Sequence, residues 1–174
     1  MLMLKGILFD LGNTVVMFPA LGLESENSTS EQKCMLESLV KVMHNSLTRN
    51  HIHADWSAFW ETYKVVRAEQ MRWQKQTLRE YDMTLRLAKI LDTLGFKVSP
   101  TSKIIRQTLN DYFESYVKHV RIEKKIIPIL KSLYLNRKLG LVTNFAYPPC
   151  IYAIIDKFNL KQFFDVVVVS GEVG

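Results

Sequence analysis

The segment Lys5-Gly-Ile-Leu-Phe9 is apolar without alternation after Lys5 and stops at Asp10. Such a run predicts a short strand covered on both faces, as in a parallel sheet. Leu11-Gly12-Asn13-Thr14 has the composition of a turn, and a loop continues through Phe18-Pro19 to Gly22. From residue 28 the spacing becomes helical. Ser28 and Glu31 form a capping-box pattern that opens a helix to about Thr48. Asp55 is placed to cap a second helix to about Lys75, with Trp56, Phe59, Trp60, Tyr63, Val66 and Gln70 at three-to-four spacing. That stripe reads as the core of a helix bundle rather than as a base-stacking platform. A third helix is predicted over about Arg79 to Leu94, with Gly95 as its left-handed stop. Ser99-Pro100 supplies an N-cap followed by proline, which starts a fourth helix apolar at Ile104, Ile105, Leu109, Tyr112, Phe113 and Tyr116.

After residue 122 the rhythm changes. A helix is predicted over about Glu123 to Arg137, with Pro128 moving its start towards Ile127. Leu139–Thr143 reads as a second strand, Tyr147–Phe158 as a helix, and Phe164–Ser170 as a third strand. Its four consecutive valines again predict cover on both faces. The order strand, helical insertion, helix, strand, helix, strand describes an α/β fold: a doubly wound parallel sheet interrupted by a four-helix lobe. Residues 1–18 with 121–174 are expected to form the α/β core, and residues 19–120 the lobe. Ligands bind outside the carboxyl ends of the strands in such sheets, which here carry Asp10, Thr143, Asn144 and Ser170. Three strands make a small sheet, and Gly174 follows the last one closely. The expectation is an incomplete sheet, with self-association through an exposed sheet edge.

Composition narrows the classes. The 174 residues suit about one domain with an inserted lobe. Cys34 and Cys150 are the only cysteines and are far apart, which excludes a disulfide framework and a zinc ribbon and fits a reducing compartment. No apolar run approaches the ~18 residues of a membrane helix, and the apolar start is interrupted by Lys5 and Asp10, so no membrane association and a cytoplasmic location are expected. The net charge of +6 is spread along the chain. Its densest local run, Arg121, Lys124, Lys125 and Lys131, reads as the solvated face of one helix, and no nucleic-acid partner is expected.

Asp10 carries the chemistry. A carboxylate held at a strand end beside the amides of a tight turn is placed to attack electrophilic phosphorus or carbon; otherwise it caps its own turn. Thr143-Asn144 at a second strand end offers a hydroxyl, an amide and backbone N–H groups to a phosphate, or caps the following helix. Cys150 reads as a buried thiol, the histidines 44, 51, 53 and 119 as residues of the lobe without a metal site, and Lys138 as a solvated helix-end charge.

Together these segments resemble a known superfamily. Gly6-Ile-Leu-Phe-Asp-Leu-Gly-Asn-Thr14 is similar to the first motif of the haloacid dehalogenase (HAD) superfamily, and Lys138-Leu-Gly-Leu-Val-Thr-Asn144 to its second. Phe163-Phe-Asp-Val-Val-Val-Val-Ser-Gly-Glu-Val-Gly174 resembles the stretch before the third motif in subfamily I, whose lysine would fall beyond Gly174. The four-helix lobe matches that subfamily's cap.

The resemblance implies a Mg²⁺-dependent phosphomonoesterase acting on a small phosphorylated metabolite. Asp10 would form an aspartyl-phosphate, and Mg²⁺ would be held by the Asp10 carboxylate and the Gly12 carbonyl. Asn13, Thr14, Thr143 and Asn144 would bind substrate, and the cap would close over the site. Family phosphatases usually carry a general acid/base Asp where this chain has Gly12, a group typically worth ~10²–10⁴-fold. With that residue and the later motifs missing, this chain is expected to turn over little or nothing. Glu172 is the only acid close behind the third strand. Alternatives are a 2-haloacid dehalogenase-like hydrolase, a branch with an aromatic residue at position 12, or a non-catalytic binding protein of the same fold.

Overall fold

The computed structural model describes residues 5–21 and 29–173. The chain divides into two compact units, Met1–Pro19 with Val117–Gly174, and Ala20–Tyr116.

The first unit is built on a three-stranded parallel sheet of β1 (Gly6–Phe9), β2 (Lys138–Thr143) and β3 (Val166–Val169), in the order β1-β2-β3. Phe9 lies opposite Leu141, and Thr143 opposite Val169. The unit also holds α5 (Ile126–Tyr134), α6 (Pro148–Lys157), a 3-10 turn (Lys161–Phe163) and a one-turn helix α7 (Ser170–Val173). Proline at the first turn of α6 costs no hydrogen bond, because those N–H groups have no partner inside a helix.

Asp165 sets the register where β2 and β3 begin. Its carboxylate accepts from Leu139 N–H at 3.0 Å and from Lys138 Nζ at 2.7 Å, while its own N–H donates to the Leu139 carbonyl at 2.8 Å. Lys138 is therefore the first residue of β2 and ion-paired, not a free helix-end charge. At the other junction, Met17 and Arg121 exchange backbone hydrogen bonds. Lys157 Nζ reaches the carbonyls of Val117 at 2.6 Å and Val120 at 3.0 Å, the latter just past α4 (Lys103–His119). Arg121 thus sits in a bridge before α5, and Lys125 pairs with Glu123 at 2.8 Å, so the predicted basic helix face does not exist as one element.

Among the described residues, the buried side chains of the sheet lie on one face. Leu139, Leu141, Thr143 and Val169 are buried, whereas Leu8 is 72% exposed and Val142 and Val166 are also exposed. This corrects the expectation for both β1 and the valine strand. Side chains alternate across a strand whatever their polarity, so an apolar run shows tolerance of burial and not the presence of cover.

The second unit is helical, with α1 (Ser30–Arg49), α2 (Trp56–Thr77), α3 (Met83–Thr93) and most of α4. Thr29 and Gln32 form the capping box of α1, with Gln32 N–H donating to Thr29 Oγ1 at 3.2 Å and Thr29 N–H to Gln32 Oε1 at 2.9 Å. The predicted Ser28 cap lies outside the described residues. Asp55 caps α2 as expected. Asp82, rather than the region of Arg79, opens α3, because Leu78 leaves α2 in the left-handed region at φ 58°. Ser99 and Pro100 lie in a turn, and Ser102 accepts from Ile105 N–H at 3.2 Å where α4 begins.

The aromatic stripe splits between depths. Phe59 and Tyr63 are buried, while Trp56 and Trp60 stack on each other half-buried, with Lys41 Nζ 4.1 Å from the Trp56 ring centroid. No helix among the described residues is long and apolar enough to cross a membrane.

Candidate active site

Because β1 and β2 are adjacent and parallel, Asp10 and Thr143-Asn144 emerge from the same end of the sheet. Ser170 follows Val169 at the same end of β3. The three strand ends therefore present a carboxylate, a hydroxyl with an amide, and a second hydroxyl in a row.

The turn after Asp10 spends most of its amides on itself. Asn13 N–H donates to Val16 at 2.7 Å, and Thr14, Val15 and Val16 donate to the Leu11 carbonyl. Leu11 and Gly12 N–H donate to none of these carbonyls and are the turn's remaining donors. Asn13 stands in the left-handed region at φ 57°, a conformation asparagine tolerates better than most residues. Its Oδ1 accepts from Phe18 N–H at 3.3 Å, so the Asn13 side-chain oxygen holds the loop. Thr14 Oγ1 makes a long contact of 3.5 Å to Asp10 Oδ2. The Asp10 side chain is otherwise exposed, with no cation paired to it among the described residues.

Thr143 is 2% exposed, and its hydroxyl has no hydrogen-bond partner. A buried hydroxyl without a partner costs free energy unless a ligand supplies the bond. Asn144 is exposed beside it. The next residue is tied down, with Phe145 N–H donating to Ser170 Oγ at 2.9 Å.

Two aromatic residues complete the arrangement, Phe18, which the sequence places only in the loop after the turn, and Phe145. A Cβ added to Gly12 would lie 2.5 Å from Phe18 Cε2. The Phe18 ring also meets Phe145 edge-on, with centroids 5.7 Å apart. The sequence signal for this was slight: a lone glycine followed six positions later by a phenylalanine before proline.

Cys150 is buried, and burial pushes its thiol up to about 12, which keeps it protonated and unreactive. His44 Nε2 lies 2.9 Å from the Ala54 carbonyl, while His51, His53 and His119 are exposed. Glu172 accepts from Tyr152 OH at 2.9 Å. No group of three or more His, Cys, Asp or Glu that could hold a metal occurs among the described residues. For Mg²⁺, which prefers hard oxygen donors, the Asp10 carboxylate and the Gly12 carbonyl are suitable in kind. The carbonyl accepts no hydrogen bond from the turn.

No family model matches the chain, and no curated protein is similar to it at a significant level. Solved structures do match. A 2-haloacid dehalogenase from Pseudomonas syringae pv. tomato superposes with a TM-score of 0.59 at 15% identity, over 98% of this chain and 66% of that one. A candidate HAD-hydrolase from Bacillus subtilis, YfnB, bound to magnesium, gives 0.52 at 16% identity, over 97% and 64%. A candidate beta-phosphoglucomutase from Thermotoga maritima gives 0.51 at 10% identity, over 97% and 62%. The chain thus spans less than two thirds of each of these proteins. Their likeness, with the parallel sheet and its order, places this chain in the fold of the HAD-like hydrolases.

Proposed function

We propose that this chain is a Mg²⁺-dependent phosphomonoesterase of HAD type, acting on a small phosphorylated metabolite through an aspartyl-phosphate on Asp10. The buried, unpartnered Thr143 hydroxyl at the strand end next to Asp10 is the observation that carries this reading. It is a donor kept dry and unused until an anion arrives.

In this reading Asp10 Oδ1, which makes no described hydrogen bond, attacks phosphorus. The bond to the leaving oxygen breaks, and that oxygen takes its proton from water. A second water attacks phosphorus and cleaves the acyl phosphate, so inorganic phosphate leaves and the carboxylate is restored. Thr143 Oγ1 and the Asn144 N–H grip phosphoryl oxygens, and the Leu11 and Gly12 amides face the charge that develops in the transition state. Asp10 and the Gly12 carbonyl would hold Mg²⁺, which when bound offsets the repulsion between carboxylate and phosphate. Phe18 fills the space a side chain at position 12 would need, so the leaving oxygen receives no acid from this turn. The substrates that suit such a site are esters or anhydrides whose leaving groups depart as stable anions.

A second reading has its own support. Branch members that attack carbon carry an aromatic group at position 12, and here the Phe18 ring stands over Gly12. This favours a 2-haloacid dehalogenase-like reaction as the alternative.

The test is differential. Millimolar Mg²⁺ with inorganic phosphate is expected to raise the melting temperature. Aryl phosphate hydrolysis, however slow, should need Mg²⁺ and vanish in Asp10→Asn. Halide release from a 2-haloacid without metal would replace the first reading by the second. No shift with phosphate or Mg²⁺, and neither reaction, would leave only a non-catalytic binding protein.

A further inference from the structure

We infer that Ser170 and Gly171, with Glu172 behind them, act as a positioning clamp that fixes the path of the loop after β2, a role that rests for its functional consequence on the phosphoryl reading above. Three consecutive residues at the end of β3 each meet that loop or the helix it leads into. Ser170 Oγ accepts from Phe145 N–H at 2.9 Å. A Cβ on Gly171 would stand 2.7 Å from the Phe145 carbonyl oxygen and 3.2 Å from Pro148 Cδ. Glu172 Oε2 accepts from Tyr152 OH at 2.9 Å, on the second turn of α6. The same peptide stretch is thus held by its N–H, crowded at its carbonyl and anchored one helical turn on.

The location gives the clamp its consequence. Phe145 is one residue beyond Asn144 and two beyond Thr143, so fixing Phe145 fixes where the Thr143 hydroxyl and the Asn144 amide can aim. By taking the Phe145 N–H, Ser170 also withdraws that amide from any anion at the strand ends. On the β2 side the grip is then left to Thr143 and Asn144. Pre-organised donors lose less on binding than donors that must be ordered first. Ser170 touches no reacting atom in this scheme and is a positioning residue.

Two readouts on the full chain test this. Amide hydrogen exchange should show Phe145 N–H protected in the wild type. In Ser170→Ala it should exchange about tenfold faster, with the amides of Leu141–Thr143 unchanged, and Ser170→Thr should restore protection. A Phe145 amide that exchanges as an open one in the wild type, or is indifferent to Ser170→Ala, overturns the clamp whatever the protein binds. Inorganic phosphate titrated with Mg²⁺ should bind about five- to tenfold more weakly to Ser170→Ala, the loss of one net hydrogen bond. Gly171→Ala should weaken it too, and Ser170→Thr should recover it. Equal phosphate affinity in wild type, Ser170→Ala and Gly171→Ala overturns the positioning role. If the wild type binds no phosphate while Phe145 protection behaves as described, the phosphoryl reading fails and the loop tie stands.

Discussion

Phe18 occupies the room that Gly12 leaves: a Cβ at position 12 would meet its Cδ2 at 2.8 Å as well as its Cε2. The Asn13 side chain holds the Phe18 backbone N–H, and Phe145 meets the ring edge-on. Gly12→Asp alone is therefore expected to strain the turn and give no acid-catalysed limb in a pH profile. Overpacking of this kind costs typically ~1–3 kcal/mol. Phe18→Ala should relieve it, so the double variant should melt higher than the sum of the single effects predicts. Additive melting temperatures would show that the two positions do not share space.

How much of this was legible in the chain depends on the range of each contact. The placement of Asp10 and Thr143-Asn144 at strand ends is legible because strand ends follow from short apolar runs, and parallel neighbours share an end. The α1 cap was missed by one residue, since Ser28/Glu31 and Thr29/Gln32 satisfy the same spacing and only the backbone decides between them. Cover over β1 and β3 was wrongly expected, because Leu8 and Val166 owe their exposure to what packs nearby and not to their own character. Phe18 over Gly12, Asp165 on Lys138 and Ser170 on Phe145 are tertiary contacts with no periodic signature.

Thr143→Val separates function from stability. The hydroxyl is buried and unpartnered, so replacing it with a methyl of nearly the same shape removes an unsatisfied group. Thermal melting should be unchanged or up to ~1 kcal/mol more stable, while the phosphate-induced shift in melting temperature disappears. A clearly destabilised Thr143→Val would mean that the hydroxyl has a structural partner and is not held ready for a ligand.

Asp165 gives the sheet an acid limb. The Lys138 ammonium, then the Leu139 N–H, holds its carboxyl below the ordinary carboxylate range. A group whose pKa is lower in the folded state stabilises the fold fully above its unfolded value. That stabilisation is lost as pH falls through the folded value. Denaturant midpoints should accordingly drop on acidification below the normal carboxylate range, and Asp165→Asn should flatten part of that drop. The Lys138 side chain is 82% exposed, so the effect should be small and should shrink further in high salt. An acid limb identical in Asp165→Asn would assign it to other carboxylates.

The two thiols should react in sequence. Cys34 is exposed on α1, whereas Cys150 is buried in the first turn of α6 with its thiol pushed up to about 12. Only the thiolate attacks an alkylating reagent or an aromatic disulfide, and at neutral pH the Cys150 thiolate is both scarce and out of reach. Native protein is therefore expected to take up one equivalent of label, placed on Cys34 by peptide mapping, and denatured protein two. Labelling of Cys150 should proceed only through opening of α6, so its rate should fall when Mg²⁺ and phosphate stabilise the unit that contains it. Rapid modification of Cys150 in the native protein would show that this end of α6 is open to solvent. The helix would then be too loosely seated to hold the loop that leads from Thr143 into it.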